Sequence, residues 1–138
     1  MIVLDTNVIS EVMKPDPSAK VTGWLAREFP PDIFTTAITQ SELLYGIELM
    51  PRGRRRSALE GAITKILREI MGDRILPFDS QAAEIYARIA ASRRSMGKPI
   101  SEPDAQIAAI VRSRGASLAT RNVGDFQHCG IKVVNPWA

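Results

Sequence analysis

Four acidic side chains, Asp5, Glu42, Asp104 and Asp125, occupy positions from which a fold could gather them into one site. Asp5 ends the apolar run Met-Ile-Val-Leu and is followed by a hydroxyl, Thr6, and an amide, Asn7. A run so short and apolar suits a strand buried on both faces, the kind found in parallel sheets covered by helices. The carboxyl end of such a strand is where open α/β sheets bind ligands, because strands stop there while loops and helix N-termini diverge into a crevice. Each acid also has a local alternative. Asp5 or Thr6 could cap the helix that begins near Val8. Glu42 lies in TQSE, which matches a capping box with Thr39. Asp104 lies in SEPD, where Ser101 can cap and the helix dipole favours an acid in the first turn. Asn122 and Asp125 follow a strand ending near Thr120, and either could make a local turn bond.

Spacing separates these readings best at Asp104. Asp104, Ile107, Ala108 and Val111 recur at i, i+3, i+4 and i+7 and so share the inward face of their helix. A carboxylate on that face needs a partner, because an isolated buried charge is very costly. Glu42 is less decisive, since Tyr45, Gly46 and Leu49 make a mixed stripe, but its helix directly follows a strand. If the strands are parallel, all four acids can meet in one crevice, where they would repel strongly at neutral pH. A hard divalent cation resolves the repulsion: Mg²⁺ or Mn²⁺ suits an all-oxygen site of a few carboxylates and waters and leaves room for a phosphate oxygen. Asp5 is then a metal ligand, with Thr6 and Asn7 as donors that orient it or a bound phosphate.

Other chemistries are thinly supplied. His128 is the only histidine and Cys129 the only cysteine, so imidazole clusters and an internal disulfide are excluded. As neighbours on an extended chain their side chains point apart, and both read as structural.

The elements that must position the acids alternate along the chain. After the first strand, residues 5–14 read as a short helix stopped by Pro15 and Pro17, and residues 18–29 as another, with Ser18 as its cap candidate. Residues 33–38 form a second strand leading into a helix over 41–50. A long helix is expected over 57–71, with Ile63, Ile66, Leu67 and Ile70 as its apolar stripe. RILPF gives a third strand, Asp79 or Ser80 caps the next helix, and a helix over 104–114 stops at Gly115. SLAT and KVV close the pattern as two further buried strands. The fold class is α/β, a mainly parallel central sheet flanked by helices on both faces.

At 138 residues, 45% hydrophobic and 24% charged, the chain reads as one globular domain over 1–138. No apolar run approaches the roughly 20 residues of a membrane span, and the N-terminus lacks the pattern of a signal peptide, so a cytoplasmic location is expected and no membrane partner. Net charge is only +3, but Arg52, Arg54, Arg55 and Arg56 cluster within five positions. Such a cluster can track a phosphate backbone or meet an acidic protein partner.

Taken together, MIVLDTNVISE, AITQSELLYGI, EPDAQIAA followed by LATRNVGDF, and the ending VVNPW resemble the PIN-domain ribonucleases, specifically the VapC and FitB-like toxins of bacterial toxin–antitoxin pairs. Each motif is weak alone, but the set spans nearly the whole chain in order and spacing. The resemblance implies an α/β/α sandwich and a Mg²⁺-dependent endoribonuclease, held inactive by a small antitoxin. It maps the family's first three acids onto Asp5, Glu42 and Asp104, with Thr6 and Asn7 as supporting polar residues. Relatives carry the fourth carboxylate at the place of either Asn122 or Asp125; Asp125 is taken as the acid here and Asn122 as a holder of water or the metal shell. A homodimer, and promoter DNA contacted through the antitoxin, also come from the resemblance.

The expected reaction is hydrolysis of an RNA phosphodiester by metal-activated water, with a carboxylate as possible base and Arg52 to Arg56 along the RNA backbone. Two rivals stand beside it. Hydrolysis through an aspartyl-phosphate at Asp5 is weakened because position 7 is Asn, leaving no second acid two residues on. A catalytically silent module that binds nucleic acid or protein is disfavoured by the full set of acids.

Overall fold

A computed structural model describes residues 1–138. Five strands, β1 (Ile2–Leu4), β2 (Ile33–Thr36), β3 (Ile75–Leu76), β4 (Ser117–Ala119) and β5 (Lys132–Val134), make one sheet in the order β3-β2-β1-β4-β5. Every neighbouring pair is parallel. The α-helices are α1 (Thr6–Val12), α2 (Ala19–Ala26), α3 (Ala37–Glu48), α4 (Arg54–Thr64), α5 (Ser80–Ser95) and α6 (Glu102–Ser113).

The pleat of the strands sends alternate residues to opposite faces, which is why the first strand is apolar throughout. Val3 and Leu118 point into one core with Ile89 of α5 and Ile107, Ala108 and Val111 of α6. Ile2, Leu4 and Ala119 point into the other, with Val8 and Ile9 of α1, Val21 of α2, Leu43 and Ile47 of α3, and Ile63 of α4. Strand order runs outward from β1 in both directions, so the sheet's topological switch lies between β1 and β4. Crevices open at such a point because consecutive connections leave to opposite sides.

The structure moves several expected boundaries. β2 ends at Thr36, and α3 starts at Ala37 rather than at 41, because the Thr36 hydroxyl accepts from the Thr39 amide at 3.1 Å. The cap is therefore Thr36, not the Thr39/Glu42 box, which leaves the Glu42 side chain free for other partners. The helix expected over 57–71 begins at Arg54 and continues beyond Thr64 as π-helical turns over Lys65–Met71. A π turn holds more residues than an α turn, so the inward face drifts. Ile63, Leu67 and Met71 are buried while Ile70, expected in the stripe, is 51% exposed. Ser18 precedes α2 without a side-chain cap bond; its amide instead donates to Glu11 at 3.1 Å.

Other local expectations hold. The Asp79 carboxylate accepts from the Ala82 amide at 2.9 Å, and the Ser101 hydroxyl from the Asp104 amide at 3.3 Å. Gly115 has φ +61, the left-handed turn that ends α6.

Candidate active site

Asp5 follows β1 and Thr120 follows β4, side by side at the switch point. The Asp5 amide donates to the Ala119 carbonyl at 3.0 Å, which extends the ladder to the crevice floor. Asp5 is also the N-cap of α1, its Oδ1 accepting from the Thr6 amide at 2.8 Å. The two sequence readings of Asp5 are thus compatible: one oxygen caps the helix and the other joins the crevice network.

That network is closed around a hydroxyl. Thr120, wholly buried, donates to Asp5 Oδ2 at 2.7 Å and accepts from Asn7 Nδ2 and the Asn122 amide, each at 3.1 Å. One donated and two accepted bonds fill a hydroxyl's capacity. Asn7 Nδ2 also donates to Asp5 Oδ2 at 3.2 Å, while Asn7 Oδ1 accepts from the Arg121 amide at 3.1 Å, which fixes the amide's orientation.

A second network holds Glu42. The Thr6 hydroxyl lies 2.9 Å from Glu42 Oε1 and 3.1 Å from the Thr39 hydroxyl. A carboxylate can only accept, so Thr6 gives its proton to Glu42 and takes one from Thr39. Asp104 completes the floor from the first turn of α6, whose inner face Ile107, Ala108 and Val111 bury in the core as expected.

Together these side chains line a crevice of about 430 Å³. Asp5, Thr6, Asn7, Glu42, Asp104 and Asn122, all expected at the site, border it. So do Ser10, Glu11, Lys14, Arg121 and Trp137, which the sequence reading did not select. Asp125 stands outside that lining, exposed in the 3-10 turn Val123–Phe126, with its backbone carbonyl accepting from Arg93 at 2.9 Å. Its charge still reaches Asp5 and Asp104. The four arginines separate: Arg55 lines a neighbouring groove with Thr6 and Glu42, Arg52 and Arg56 border a different surface hollow, and Arg54 opens α4. Arg56 is tied to Glu60 at 2.8 Å, to Glu48 at 3.4 Å and to the Met50 carbonyl at 3.0 Å. Cys129 is buried and donates to the Gln127 carbonyl at 3.6 Å, a structural role as expected.

The acids carry unbalanced charge. Burial pushes the Asp5 carboxyl above its ordinary range, although bonds from Thr120, Thr6 and Asn7 pull it back, and Asp125 adds to the rise. Burial also raises Glu42, helped by Asp5 and Asp104 and opposed by Thr6. Asp104 is raised by burial and by Asp5 and Asp125, against the Ser101 bond and the Arg93 charge. No three acidic, histidine or cysteine side chains are gathered into a ready-made cation site. Mg²⁺ does not require one: it keeps several waters and is commonly held by one or two carboxylates together with substrate phosphate. A crevice whose four acids, Asp5, Glu11, Glu42 and Asp104, outnumber its two cationic side chains, Lys14 and Arg121, fits such an ion.

Residues 2–130 match the family described as the PIN domain. The chain belongs to that family. Among similar proteins, the toxin FitB of Neisseria gonorrhoeae is 38% identical over 137 residues, covering 99% of both chains. The VapC ribonuclease Y4jK of Sinorhizobium fredii is 37% identical over 137 residues, covering 99% of this PIN domain and 98% of the relative. The solved structure of FitAB bound to IR36 DNA contains a chain that superposes with a TM-score of 0.93 at 37% identity, covering 100% of this chain and 96% of that one. Fold and length of this PIN domain are therefore those of toxin subunits in toxin–antitoxin complexes.

Thr120, Ser10, Glu11, Lys14, Arg121 and Trp137 are the site residues that sequence reasoning passed over. Thr120 had a usable signal, a polar residue closing the apolar strand SLA at the same edge as Asp5. Trp137 had none within its own segment, because its place at the crevice depends on how the chain returns after β5.

Proposed function

We propose that this PIN domain, as one unit over residues 1–138, is a Mg²⁺-dependent endoribonuclease of the cytoplasm and the toxin of a toxin–antitoxin pair. The observation that carries the proposal is the meeting of Asp5, Glu42 and Asp104, from three distant parts of the chain, around one crevice at the β1/β4 switch point. The named functions of FitB and VapC Y4jK support it. FitAB bound to DNA supports a cognate antitoxin that both neutralises the toxin and carries it to promoter DNA, and a toxin that works within an oligomer such as a homodimer.

In this reading Asp5, Glu42 and Asp104 hold the cation, with Mn²⁺ able to replace Mg²⁺, and Asp125 deepens the negative field from the rim. The bound ion supplies activation of water and neutralisation of charge on the scissile phosphate. Asn7 and Thr120 hold Asp5 at fixed orientation, and Thr6 does the same for Glu42, the role that hydrogen-bonding partners play for carboxylates on a metal. With no histidine in the crevice, one of its carboxylates is the group left to take a proton from the attacking water. Asn122 contributes an amide at the crevice edge, positioned through its backbone bond to Thr120.

The test is cleavage of a mixed RNA pool by purified, antitoxin-free protein in Mg²⁺, Mn²⁺ or EDTA, beside Asp5→Asn. Metal-dependent cutting that disappears in Asp5→Asn is expected. Folded wild type and Asp5→Asn that behave alike in every metal would remove the catalytic reading and leave a binding module.

A further inference from the structure

We propose that Arg121 and Trp137 form the rest on which the RNA strand lies at the lip of the acidic crevice, Arg121 taking a backbone phosphate and Trp137 stacking on a base. The inference rests on the nuclease reading above and specifies how its substrate is held.

An acidic floor repels a polyanion, so a strand that is to reach it needs a cation at the rim. Lys14 and Arg121 are the two basic side chains bordering the crevice. Lys14 is engaged by Glu11 at 3.0 Å. Arg121 is exposed and has no carboxylate within ion-pair distance. Its guanidinium lies over the Trp137 ring, 5.2 Å from the centroid and within cation–π distance.

Both groups are held in register with the acids. The Arg121 amide donates to Asn7, whose side chain bonds Asp5, so the root of the arginine is fixed two hydrogen bonds from the carboxylate. The Trp137 amide donates to Asn135 Oδ1 at 3.0 Å, and its half-buried ring packs against the same core as Leu4 and Val134. Trp137 is also the one apolar side chain among those lining the crevice.

A guanidinium beside an indole matches single-stranded RNA in particular. Proteins read unpaired bases by stacking them on aromatic rings or arginine planes, and a paired base inside a duplex has no free face to offer. Arg56 is a weaker candidate for this role, because its donors are already taken by Glu48, Glu60 and Met50.

The chain has two tryptophans, so Trp24→Phe leaves Trp137 as the sole indole reporter. Short single-stranded RNA of mixed sequence is titrated into this protein in EDTA, where binding is read without cleavage. Quenching of Trp137 emission is expected. In the wild-type background Trp137→Leu should weaken binding about tenfold, the effect of one lost base stack. Trp137→Phe, which keeps a ring, should restore most of it. Arg121→Ala should reduce the salt slope by about one, the signature of one phosphate contact, and Arg121→Lys should recover the slope. Circular dichroism on each variant shows that the fold is kept.

RNA that leaves Trp137 emission unmoved, or Trp137→Leu and Arg121→Ala proteins that bind with wild-type affinity and slope, would overturn the inference and leave this lip to a protein partner. Cleavage by the wild type in Mg²⁺ is scored separately. Cutting with an unaffected lip sinks this inference alone, whereas quenching without any cutting keeps the RNA rest and sinks the nuclease reading.

Discussion

Thr120→Val is the sharpest probe of the network that aims Asp5. Valine has nearly the shape of threonine, so at this wholly buried position the change removes polarity with little loss of packing. Three bonds go: to Asp5 Oδ2 at 2.7 Å, from Asn7 Nδ2 and from the Asn122 amide, both at 3.1 Å. They do not weigh equally. Asn7 Nδ2 keeps its second acceptor, Asp5 Oδ2 at 3.2 Å, and Asn122 is exposed, so water can replace its partner. The bond to the Asp5 carboxylate dominates, and hydrogen bonds to charged groups contribute roughly 1.5–3 kcal/mol. The expected loss at neutral pH in metal-free buffer is therefore about 2 kcal/mol, read by urea unfolding. The Thr120 bond favours the ionised acid, so the penalty should shrink towards about 1 kcal/mol, that of a neutral bond, once Asp5 is protonated. A double-mutant cycle with Asp5→Ala isolates the pair. A coupling energy within about 0.5 kcal/mol of zero, below what such cycles resolve, or a penalty that does not change with pH, would refute the argument.

The three raised carboxyls set a pH dependence. Asp5, Glu42 and Asp104 all have folded-state values above their ordinary ones, so the folded chain binds protons more readily than the unfolded chain. Their combined contribution to the stability of the metal-free protein therefore increases as pH falls through those raised values and levels off below the unfolded ones. Mg²⁺ should substitute for the protons: thermal melting should show stabilisation at neutral pH that fades in acid, on chelation and in Asp5→Asn. The π-helical turns predict an asymmetry between neighbours. Met71→Ala should cost about 2–5 kcal/mol and Ile70→Ala under about 1 kcal/mol in chemical denaturation, the reverse of what a continuous α-helix would give. Arg93 donates to the Lys98, Asp125 and Gln127 carbonyls at 2.7, 2.9 and 2.9 Å, and so ties α5 to the turn carrying Asp125. Arg93→Lys should lose about 2–4 kcal/mol and speed amide exchange over residues 122–129, because one ammonium cannot span three carbonyls set for a planar fork.

Much of this protein is written locally. The apolar run before Asp5, the caps Asp79 and Ser101, the stopping glycine at 115 and the inward stripe of α6 each follow from interactions within a few residues, and the structure keeps them. Parallel strands were legible for the same reason, since runs buried on both faces alternate with helices and leave few other arrangements. Asp5 and Asp104 were legible because one follows a strand and the other lies in the first turn of a helix at one edge of that sheet, whereas Glu42 lies midway along α3.

What tertiary structure decided lies where two neighbouring residues offer the same local chemistry or where partners are far apart in the chain. Thr36 and Thr39 are both competent caps; α3 begins at Thr36 because β2 ends there against its neighbours, and that frees Glu42 to meet Thr6, 36 residues away. Ile70 and Met71 are both apolar, and only the wider π turns select Met71 for the core. Thr120 is joined to Asp5 across 115 residues, and Trp137 reaches Arg121 only after β5 has returned beside β4. Asn122 and Asp125 both follow β4, yet the turn between them brings Asn122 to the crevice while Asp125 stays at the surface. Local propensity chooses among conformations a few residues long. The crevice is made by contacts between segments whose meeting depends on how the whole sheet is wound.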